Sequence, residues 1–337
     1  MKKNTFSLTL LLGIVALATT GLVWWNFNAK PVSADETSVS FVVTKGKSAS
    51  QVGQLLYEKG LIRSPLAFKI YVQVTNKADK IQAGEFELNK KMGISEIVET
   101  FSEGPLELWV TIPEGLRREE VADKITSSLE MSADTSVVFR QEFLNLTPSL
   151  EGFLFPNTYL FPRDVKADVV VNNMKSLFDS QTSGFNGLLD NGKTKEGLTL
   201  DEILVLASII ERETKTDEER PIVAGIYLNR LEVGMALQAD ASVQYAIANI
   251  NCRNKTSCNW WPILTKTDLE IDSPYNSYKY AGLPPTPIAN PGISSIKAIF
   301  EPERTDYFYY IHDTNGKIHY ARNLDEHNDN VREYLGK

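Results

Sequence analysis

Two glutamates stand at the end of the most apolar helix that the sequence predicts. Glu211 and Glu213 close the segment LDEILVLASIIERET. At about 100° per residue its apolar side chains cover nearly the whole circumference, and Ser208 and Arg212 form a narrow polar edge. A helix that is apolar almost all round is buried. The two carboxyl groups are therefore predicted to lie on opposite flanks of the helix, each against hydrophobic neighbours.

An apolar environment changes the chemistry of a carboxyl group. Burial disfavours its charged form and raises its pKa, so the group can stay protonated near neutral pH and act as a general acid. The pattern does not decide which of Glu211 and Glu213 would do so. The alternative is that the helix ends at Ile210 and that both glutamates face water or pair with nearby arginine and lysine side chains.

A proline-rich loop combines aromatic and amide side chains. The segment SPYNSYKYAGLPPTPIANPG contains Asn276 and Tyr278, and Gln238 lies on the preceding segment. Aromatic rings can cover the apolar face of a sugar, and amides can hydrogen-bond its hydroxyl and acetamido groups. These three side chains are predicted to line a sugar-binding cleft.

The two cysteines of the chain lie close together in the segment CRNKTSC. The spacing of Cys252 and Cys258 fits neither a CxxC redox pair nor a zinc knuckle. In an oxidising, exported compartment they could close a small loop as a disulfide. Two free thiols in a loop are the alternative.

The elements that must position these residues begin with a small unit. A strand, two helices and a strand are predicted between Val39 and about Leu88. Ser48 and Gln51 form a capping box ahead of the first helix, and a Ser-Pro pair begins the second at Ser64. The second strand alternates in polarity like a half-buried strand.

A second region begins near Leu106 with the strand LELWVTI and the helix LRREEVADKI. Thr199 and Glu202 form a capping box ahead of the apolar helix. Helix, turn and helix are predicted around Gly234, and Asn315-Gly316 predicts a hairpin before a last helix. The whole pattern indicates a mixed α+β protein.

The N-terminus predicts a membrane anchor. No charged residue occurs between Lys3 and Lys30, and residues 6–27 are almost wholly apolar. Twenty such residues span a hydrocarbon core of about 30 Å. Val32-Ser33-Ala34 would suit cleavage of a signal peptide, but the apolar region of a signal peptide is normally only about 7 to 15 residues long. The sequence therefore predicts a retained helix, with the chain after it exported.

The composition excludes several classes of protein. The chain has 337 residues, 35 Lys plus Arg, 43 Asp plus Glu and a formal charge of −8, a length typical of about two domains. Hydrophobic residues at 42% and charged residues at 23% are ordinary globular values and exclude general disorder. An acidic chain without a long basic run is not expected to bind nucleic acid. With 3 His and 2 Cys, neither a metal site nor a cofactor is predicted.

Several ordered segments together carry a family resemblance. They are LASIIERET, YLNRLEVGMALQADASVQYA, YNSYKYAGLPPTPIANPG and, near the C-terminus, FYYIHD and HYARNLDEHN. This combination resembles the membrane-anchored endolytic murein transglycosylases of the MltG (YceG-like) type over most of the chain. The segment NINCRNKTSCNWWPI departs from the family pattern because it is longer and carries the two cysteines.

The resemblance implies a reaction and residues to perform it. Enzymes of this type cleave the β-1,4 bond between N-acetylmuramic acid and N-acetylglucosamine in peptidoglycan and leave a 1,6-anhydro end. The second glutamate of their ExE pair is catalytic, which is Glu213 here, and Glu211 is carried over as a supporting residue. The family motifs also support Gln238, Asn276 and Tyr278 as substrate-binding residues. One carboxyl group suffices because the C6 hydroxyl of the substrate attacks C1, whereas ordinary glycosidases need two carboxyl groups.

The resemblance also implies an architecture and a location. The expected fold class is α+β, with an N-terminal transmembrane helix, a small LysM-like βααβ unit and a mixed α+β catalytic domain. The expected segments are a cytoplasmic tail (1–5), an anchor (6–27), a linker (28–37), a LysM-like subdomain (38–104) and a YceG-like catalytic domain (105–337). The protein would cross the bacterial cytoplasmic membrane once, with its N-terminus in the cytoplasm and its catalytic domain outside. Its expected partners are peptidoglycan strands, the membrane and peptidoglycan synthases.

Two other functions remain open at this point. A conventional peptidoglycan hydrolase would use Glu213 together with another acid such as Asp240, and would leave reducing ends. A non-catalytic scaffold would bind peptidoglycan through the LysM-like unit.

Overall fold

The computed structural model describes residues 2–44, 46–104, 107–189, 191–253, 255 and 258–336. For residues 2–11, 14 and 186 it describes the backbone only. The chain divides into two compact units. The first unit consists of Met1–Val110 and Tyr159–Asp164, and the second of Thr111–Thr158 and Val165–Lys337.

The chain begins with helix α1 (Lys2–Ala29). Among the helices, as far as their residues are described, none is both long enough and apolar enough to cross a membrane. The anchor expected over 6–27 therefore stays a prediction.

The first unit has the predicted order of strand, helix, helix and strand. Its elements are β1 (Val39–Val43), α2 (Ala49–Glu58), α3 (Pro65–Val74), β2 (Gly84–Leu88) and α4 (Ile94–Glu103). The Ser48–Gln51 capping box is present, and the Ser64 side chain accepts from the backbone N–H of Ala67 at the start of α3. The predicted βααβ order is confirmed, and its likeness to LysM stays a prediction.

The core of the first unit is formed by side chains that alternate between buried and exposed positions along its strands. β1 and β2 are antiparallel, with Phe41 opposite Phe86. Phe101 of α4 packs against both rings, with centroid distances of 5.9 Å to Phe41 and 4.7 Å to Phe86. The sheet has the order β1-β2-β3-β4, where β3 is Glu107–Ile112 and β4 is Asn157–Pro162. The strand predicted in LELWVTI is thus confirmed over the described residues.

The second unit contains most of the helices. Its further elements are α5 (Arg118–Ser128), α6 (Ala133–Leu146), α7 (Ala167–Thr182), α8 (Leu200–Glu213), α9 (Glu219–Glu232), α10 (Asp240–Asn251), α11 (Ile293–Phe300), β5 (Tyr309–His312), β6 (Ile318–Ala321) and α12 (Leu324–Leu335). The predicted hairpin is formed by β5 and β6, and Gly316 adopts the positive φ of 84° that its turn requires.

Helix α8 lies in the middle of the core of this unit. Its Thr199–Glu202 capping box is confirmed, and every residue from Ile203 to Ile210 is buried. The helix continues through Glu213, so the alternative that it ends at Ile210 is wrong. Ser208 is also fully buried, which corrects its expected place on a polar edge. Its hydroxyl is satisfied there, because it donates to the carbonyl of Val205 (2.7 Å) and accepts from the N–H of Ile288 (3.0 Å).

The two cysteines are joined in a disulfide at the C-terminal end of α10, with a Cα–Cα distance of 5.6 Å. Cys252 is buried with Ala248 and Trp260 in a small separate cluster. The bond therefore joins the end of one helix to a residue six positions further along the chain and does not link distant parts of the fold.

Replacing both Cys252 and Cys258 with serine should lower the free energy of unfolding by only on the order of 2 kcal/mol, because a short closed loop restricts the unfolded chain little. Urea denaturation of the oxidised protein and the double variant measures this difference. Loss of cooperative folding in the variant would contradict it.

Candidate active site

The carboxyl group of Glu213 lies where α8 ends, between two other elements. Its Oε2 accepts a hydrogen bond from Tyr310 Oη on β5 (3.0 Å), and its Oε1 accepts from the N–H of Ala241 (3.4 Å). Ala241 belongs to the first turn of α10, where backbone N–H groups are free to bind an anion. Both bonds connect residues that are far apart in the chain.

Glu213 faces an open pocket of about 410 Å³. Besides α8, helices α9 and α12, the start of α10 with the segment leading into it, the loop that carries Tyr278 and the hairpin strand β5 contribute to it. The polar side chains that line it are those of Glu213, Arg230, Gln238, Asp240, Tyr278, Tyr309, Tyr310, His312 and His327. The pocket is therefore rich in aromatic rings and hydrogen-bonding groups around a single deeply set carboxyl group.

The surroundings of Glu213 favour its protonated form. Burial raises the pKa of its carboxyl group, and the negative charge of Asp240 adds to that rise. The hydrogen bonds from Tyr310 and Ala241 and the charge of Arg212 lower the pKa, but they do not reverse the shift. A carboxyl group whose protonated form is favoured in this way can give up a proton to a substrate and then take one back.

Tyr310, which is partly buried, is paired with a fully buried tyrosine, and the sequence analysis singled out neither of them. Its hydroxyl lies 2.8 Å from the hydroxyl of Tyr227 on α9. Burial raises the pKa of both phenols well above the usual value, so both remain protonated. Tyr310 can therefore keep donating to Glu213. The FYYIHD segment of the sequence predicted a strand at this position. It did not indicate which of its tyrosines faces Glu213.

Glu211 has a different environment from Glu213. Its Oε1 accepts from Arg220 Nη2 (2.9 Å), and its Oε2 accepts from the N–H of Gly292 (2.9 Å) and from Ser295 Oγ (2.8 Å). Only 6% of its side chain is exposed, and 9% of that of Arg220. Glu211 thus forms a buried ion pair at the N-terminal end of α11 and does not line the pocket.

Two of the three predicted sugar-binding residues line the pocket. Tyr278 is partly buried, and its hydroxyl donates to Asp240 Oδ1 (2.6 Å). Gln238 is exposed at the mouth, and its φ of 51° bends the chain just ahead of α10. Both therefore present their side chains to the space that Glu213 faces.

Asn276 has another role, which corrects the prediction that it lines the cleft. Its side chain is fully buried. The Nδ2 group donates to the carbonyls of Leu269 (2.8 Å) and Ile271 (2.9 Å), and Oδ1 accepts from the N–H of Tyr278 (3.0 Å). Asn276 stabilises the loop that holds Tyr278.

A buried arginine joins the walls of the pocket. Arg230 Nε donates to the carbonyl of Phe308 (2.6 Å), and its Nη1 donates to the carbonyl of Leu237. The first acceptor precedes β5, and the second precedes Gln238. Arg230 therefore fixes the distance between the strand that carries Tyr310 and the turn that carries Gln238.

The fold and the pocket define a mixed α+β protein in which the carboxyl group of Glu213 faces an open, aromatic cleft. The model of the YceG-like family matches residues 41–333. The endolytic murein transglycosylase of Bacillus subtilis (strain 168) is 31% identical over 331 residues, which cover 91% of this chain and 88% of that protein. The endolytic murein transglycosylase of Streptococcus pneumoniae serotype 2 (strain D39) is 26% identical, and the match covers 90% of this chain but 60% of that protein.

A solved structure is also similar. The crystal structure of a yceG-like protein from Listeria monocytogenes has a TM-score of 0.53 and 31% identity, covering 87% of this chain and 99% of that one. The chain belongs to the YceG-like family, as its sequence motifs predicted.

The two glutamates should respond oppositely to substitution. The pKa of Glu213 is raised above its ordinary value of 4.5 in the folded state, so the stability linked to its protonation is complete below about pH 4.5 and is lost as the pH rises through the folded-state pKa. Glu213→Gln should therefore gain stability over the wild type as the pH rises. Glu211→Gln should lose about 3 kcal/mol at neutral pH, because it leaves the buried Arg220 with only the exposed Asp217 as a close carboxylate partner.

Denaturant titrations of both variants between pH 4 and pH 8 measure these differences. Equal losses of stability at every pH would show that the two carboxyl groups have the same structural role.

Proposed function

We propose that this protein is a lytic transglycosylase that cleaves peptidoglycan glycan strands with Glu213 as its single acid/base. Relatives that match nearly the whole of this chain are named endolytic murein transglycosylases. The choice of Glu213 rather than Glu211 as the acid/base rests on one observation, the difference between the surroundings of the two side chains. Glu213 faces the pocket with a raised pKa, whereas the carboxylate oxygens of Glu211 are engaged by Arg220, Gly292 and Ser295.

The reaction needs one proton to move out and one to return. Protonated Glu213 gives its proton to the oxygen of the β-1,4 bond as the bond from that oxygen to C1 of N-acetylmuramic acid breaks. The C6 hydroxyl of the same sugar then forms a bond to C1 and transfers its proton to the Glu213 carboxylate. The products are a free N-acetylglucosamine hydroxyl and a 1,6-anhydro end, and Glu213 is protonated again. No water is consumed, so no second carboxyl group is needed.

The neighbours of Glu213 suit both halves of this cycle. The bonds from Tyr310 Oη and the Ala241 N–H stabilise the carboxylate after it has lost its proton. The negative charge of Asp240 favours the protonated form that starts the cycle. Gln238 and Tyr278, on the wall of the pocket, would bind the sugars on either side of the bond.

One observation favours a second candidate, a conventional hydrolase. Asp240 lies in the same pocket as Glu213, where it could activate a water molecule, although its Oδ1 already accepts from Tyr278. Hydrolysis would incorporate an oxygen atom from water at C1, whereas transglycosylation would not.

Glu213→Gln should reduce cleavage of purified glycan strands by about 10² to 10⁴ fold, because it keeps the shape of the side chain but removes the transferable proton. The alkaline limb of the wild-type pH profile, where activity falls as Glu213 ionises, should disappear in the variant. Mass spectrometry of products formed in H₂¹⁸O measures the yield and separates anhydro ends from labelled reducing ends.

Asp240→Asn is the matched control for the hydrolase. It should retain formation of anhydro ends, with the alkaline limb shifted to lower pH because a negative charge beside Glu213 is removed. Labelled reducing ends that disappear in Asp240→Asn would favour the hydrolase. Normal cleavage in Glu213→Gln would overturn the assignment of the acid. A wild-type protein that binds strands without cutting them would favour a scaffold.

We also propose that the N-terminal segment anchors the enzyme in the cytoplasmic membrane, with residues after the linker exported. The support is the run without charged residues between Lys3 and Lys30, with Lys2 and Lys3 before it. An enzyme held there would act beside the peptidoglycan synthases that supply its strands.

A reporter enzyme that works only outside the cytoplasm, fused after residue 337, should be active, and the protein should sediment with membranes. N-terminal sequencing of the mature protein should find no cleavage after Ala34. A mature chain that begins at Asp35 would show that the segment is a cleaved signal peptide.

A further inference from the structure

A second pocket in the same unit is strongly basic. It has a volume of about 330 Å³ and lies at the C-terminal end of α10. Its charged lining consists of Arg117, Arg118, Arg140, Arg253, Lys255 and a single acid, Glu119. The proposed acid/base Glu213 is not part of it, so this pocket needs an explanation of its own.

Arg117 is the buried centre of this basic pocket. Only 1% of the residue is exposed, and its guanidinium lies between the rings of Tyr245 (4.1 Å to the centroid) and Trp260 (4.7 Å). Its Nε donates to Glu119 Oε2 (3.3 Å), and its Nη2 donates to Asn249 Oδ1. Its Nη1 is buried with no hydrogen-bond partner among the described residues. A buried donor without a partner is costly unless a ligand satisfies it.

The charges around Arg117 are not balanced. Glu119 is shared by Arg117 and Arg118, and Arg140 pairs with Asp123 (2.7 Å). Arg253 and Lys255 are exposed and make no ion pair with any residue that the structure describes. Five basic side chains thus face the carboxyl groups of Glu119, Asp123 and Glu151. Because burial raises the pKa of Glu151 to about 8, the basic pocket keeps an excess of positive charge at neutral pH.

The position of the basic pocket relates it to the candidate active site. Helix α10 meets Glu213 at Ala241 and the basic pocket at Asn249, a rise of about 12 Å at 1.5 Å per residue. Arg253 and Lys255 lie in the chain between Cys252 and Cys258, and the disulfide ties Cys258 to Cys252 at the end of the same helix.

We propose that the basic pocket is an anion subsite that binds a carboxylate of the peptide attached to the glycan strand. A carboxylate can accept from the free Nη1 of Arg117 while its charge is balanced by Arg253 and Lys255. The proposal rests on the proposed function, because it takes a peptide-bearing strand as the substrate. A strand whose scissile bond lies at Glu213 has its neighbouring peptides within reach of a pocket about 12 Å away along α10.

Calorimetric titration of the full chain with a muramyl peptide tests the subsite directly. The compound with free carboxylates should bind at least tenfold more tightly than the same compound with its carboxylates amidated. Arg253→Ala combined with Lys255→Ala should abolish this difference. Arg304→Ala combined with Lys297→Ala removes one arginine and one lysine outside the pocket and should retain it. Arg117→Lys, checked for folding by circular dichroism, keeps the charge but should also weaken the preference.

Equal binding of the free and amidated compounds would overturn the proposal, as would unchanged binding by the Arg253/Lys255 variant. Binding of inorganic phosphate without binding of the muramyl peptide would also overturn it. In cleavage assays the same variant should cut peptide-free strands at the wild-type rate and peptide-bearing strands more slowly. Failure of the proposed function would appear instead as an absence of anhydro ends from every strand, with the binding difference intact.

Discussion

The burial of helix α8 on nearly all sides is the constraint on which the rest of the second unit depends. Eight consecutive residues from Ile203 to Ile210 have almost no contact with solvent. A helix held in this way cannot rotate or slide without opening cavities, and each lost large side chain costs about 2 to 5 kcal/mol. Its last turn therefore presents Glu211 and Glu213 in fixed directions.

Because they point in different directions, Glu211 and Glu213 have different chemical surroundings although they lie within three residues of each other in the chain. Glu211 meets a buried arginine and the start of α11, where both of its oxygens are satisfied. Glu213 meets a phenol and one N–H group at the start of α10, and the rest of its surroundings belongs to an open pocket. Burial and incomplete hydrogen bonding favour the protonated form of Glu213, and a protonated carboxyl group can act as a proton donor.

Helix α10 connects the two sites that we infer. Its first turn faces Glu213, and its last turn contributes Asn249 and Cys252 to the basic pocket. The two pockets differ in charge, because the first contains Glu213 and Asp240 beside one arginine, whereas basic side chains predominate in the second. A polymer that carries both neutral sugars and charged peptides would bind the Glu213 pocket through a sugar and the basic pocket through a peptide carboxylate.

The features that the sequence determined by itself are those set by neighbours in the chain. The Thr199–Glu202 capping box, the positive φ at Gly316 and the strand alternation around Phe86 depend on residues within a few positions of one another, and all were predictable. The tertiary structure alone decided which glutamate faces the pocket, because Tyr310 reaches Glu213 across 97 residues of sequence. It also decided that Ser208 and Asn276 are buried, since their partners come from other segments or from the folding of a loop. Polarity and spacing do not encode these distant contacts, which arise only when packed elements bring donors and acceptors together.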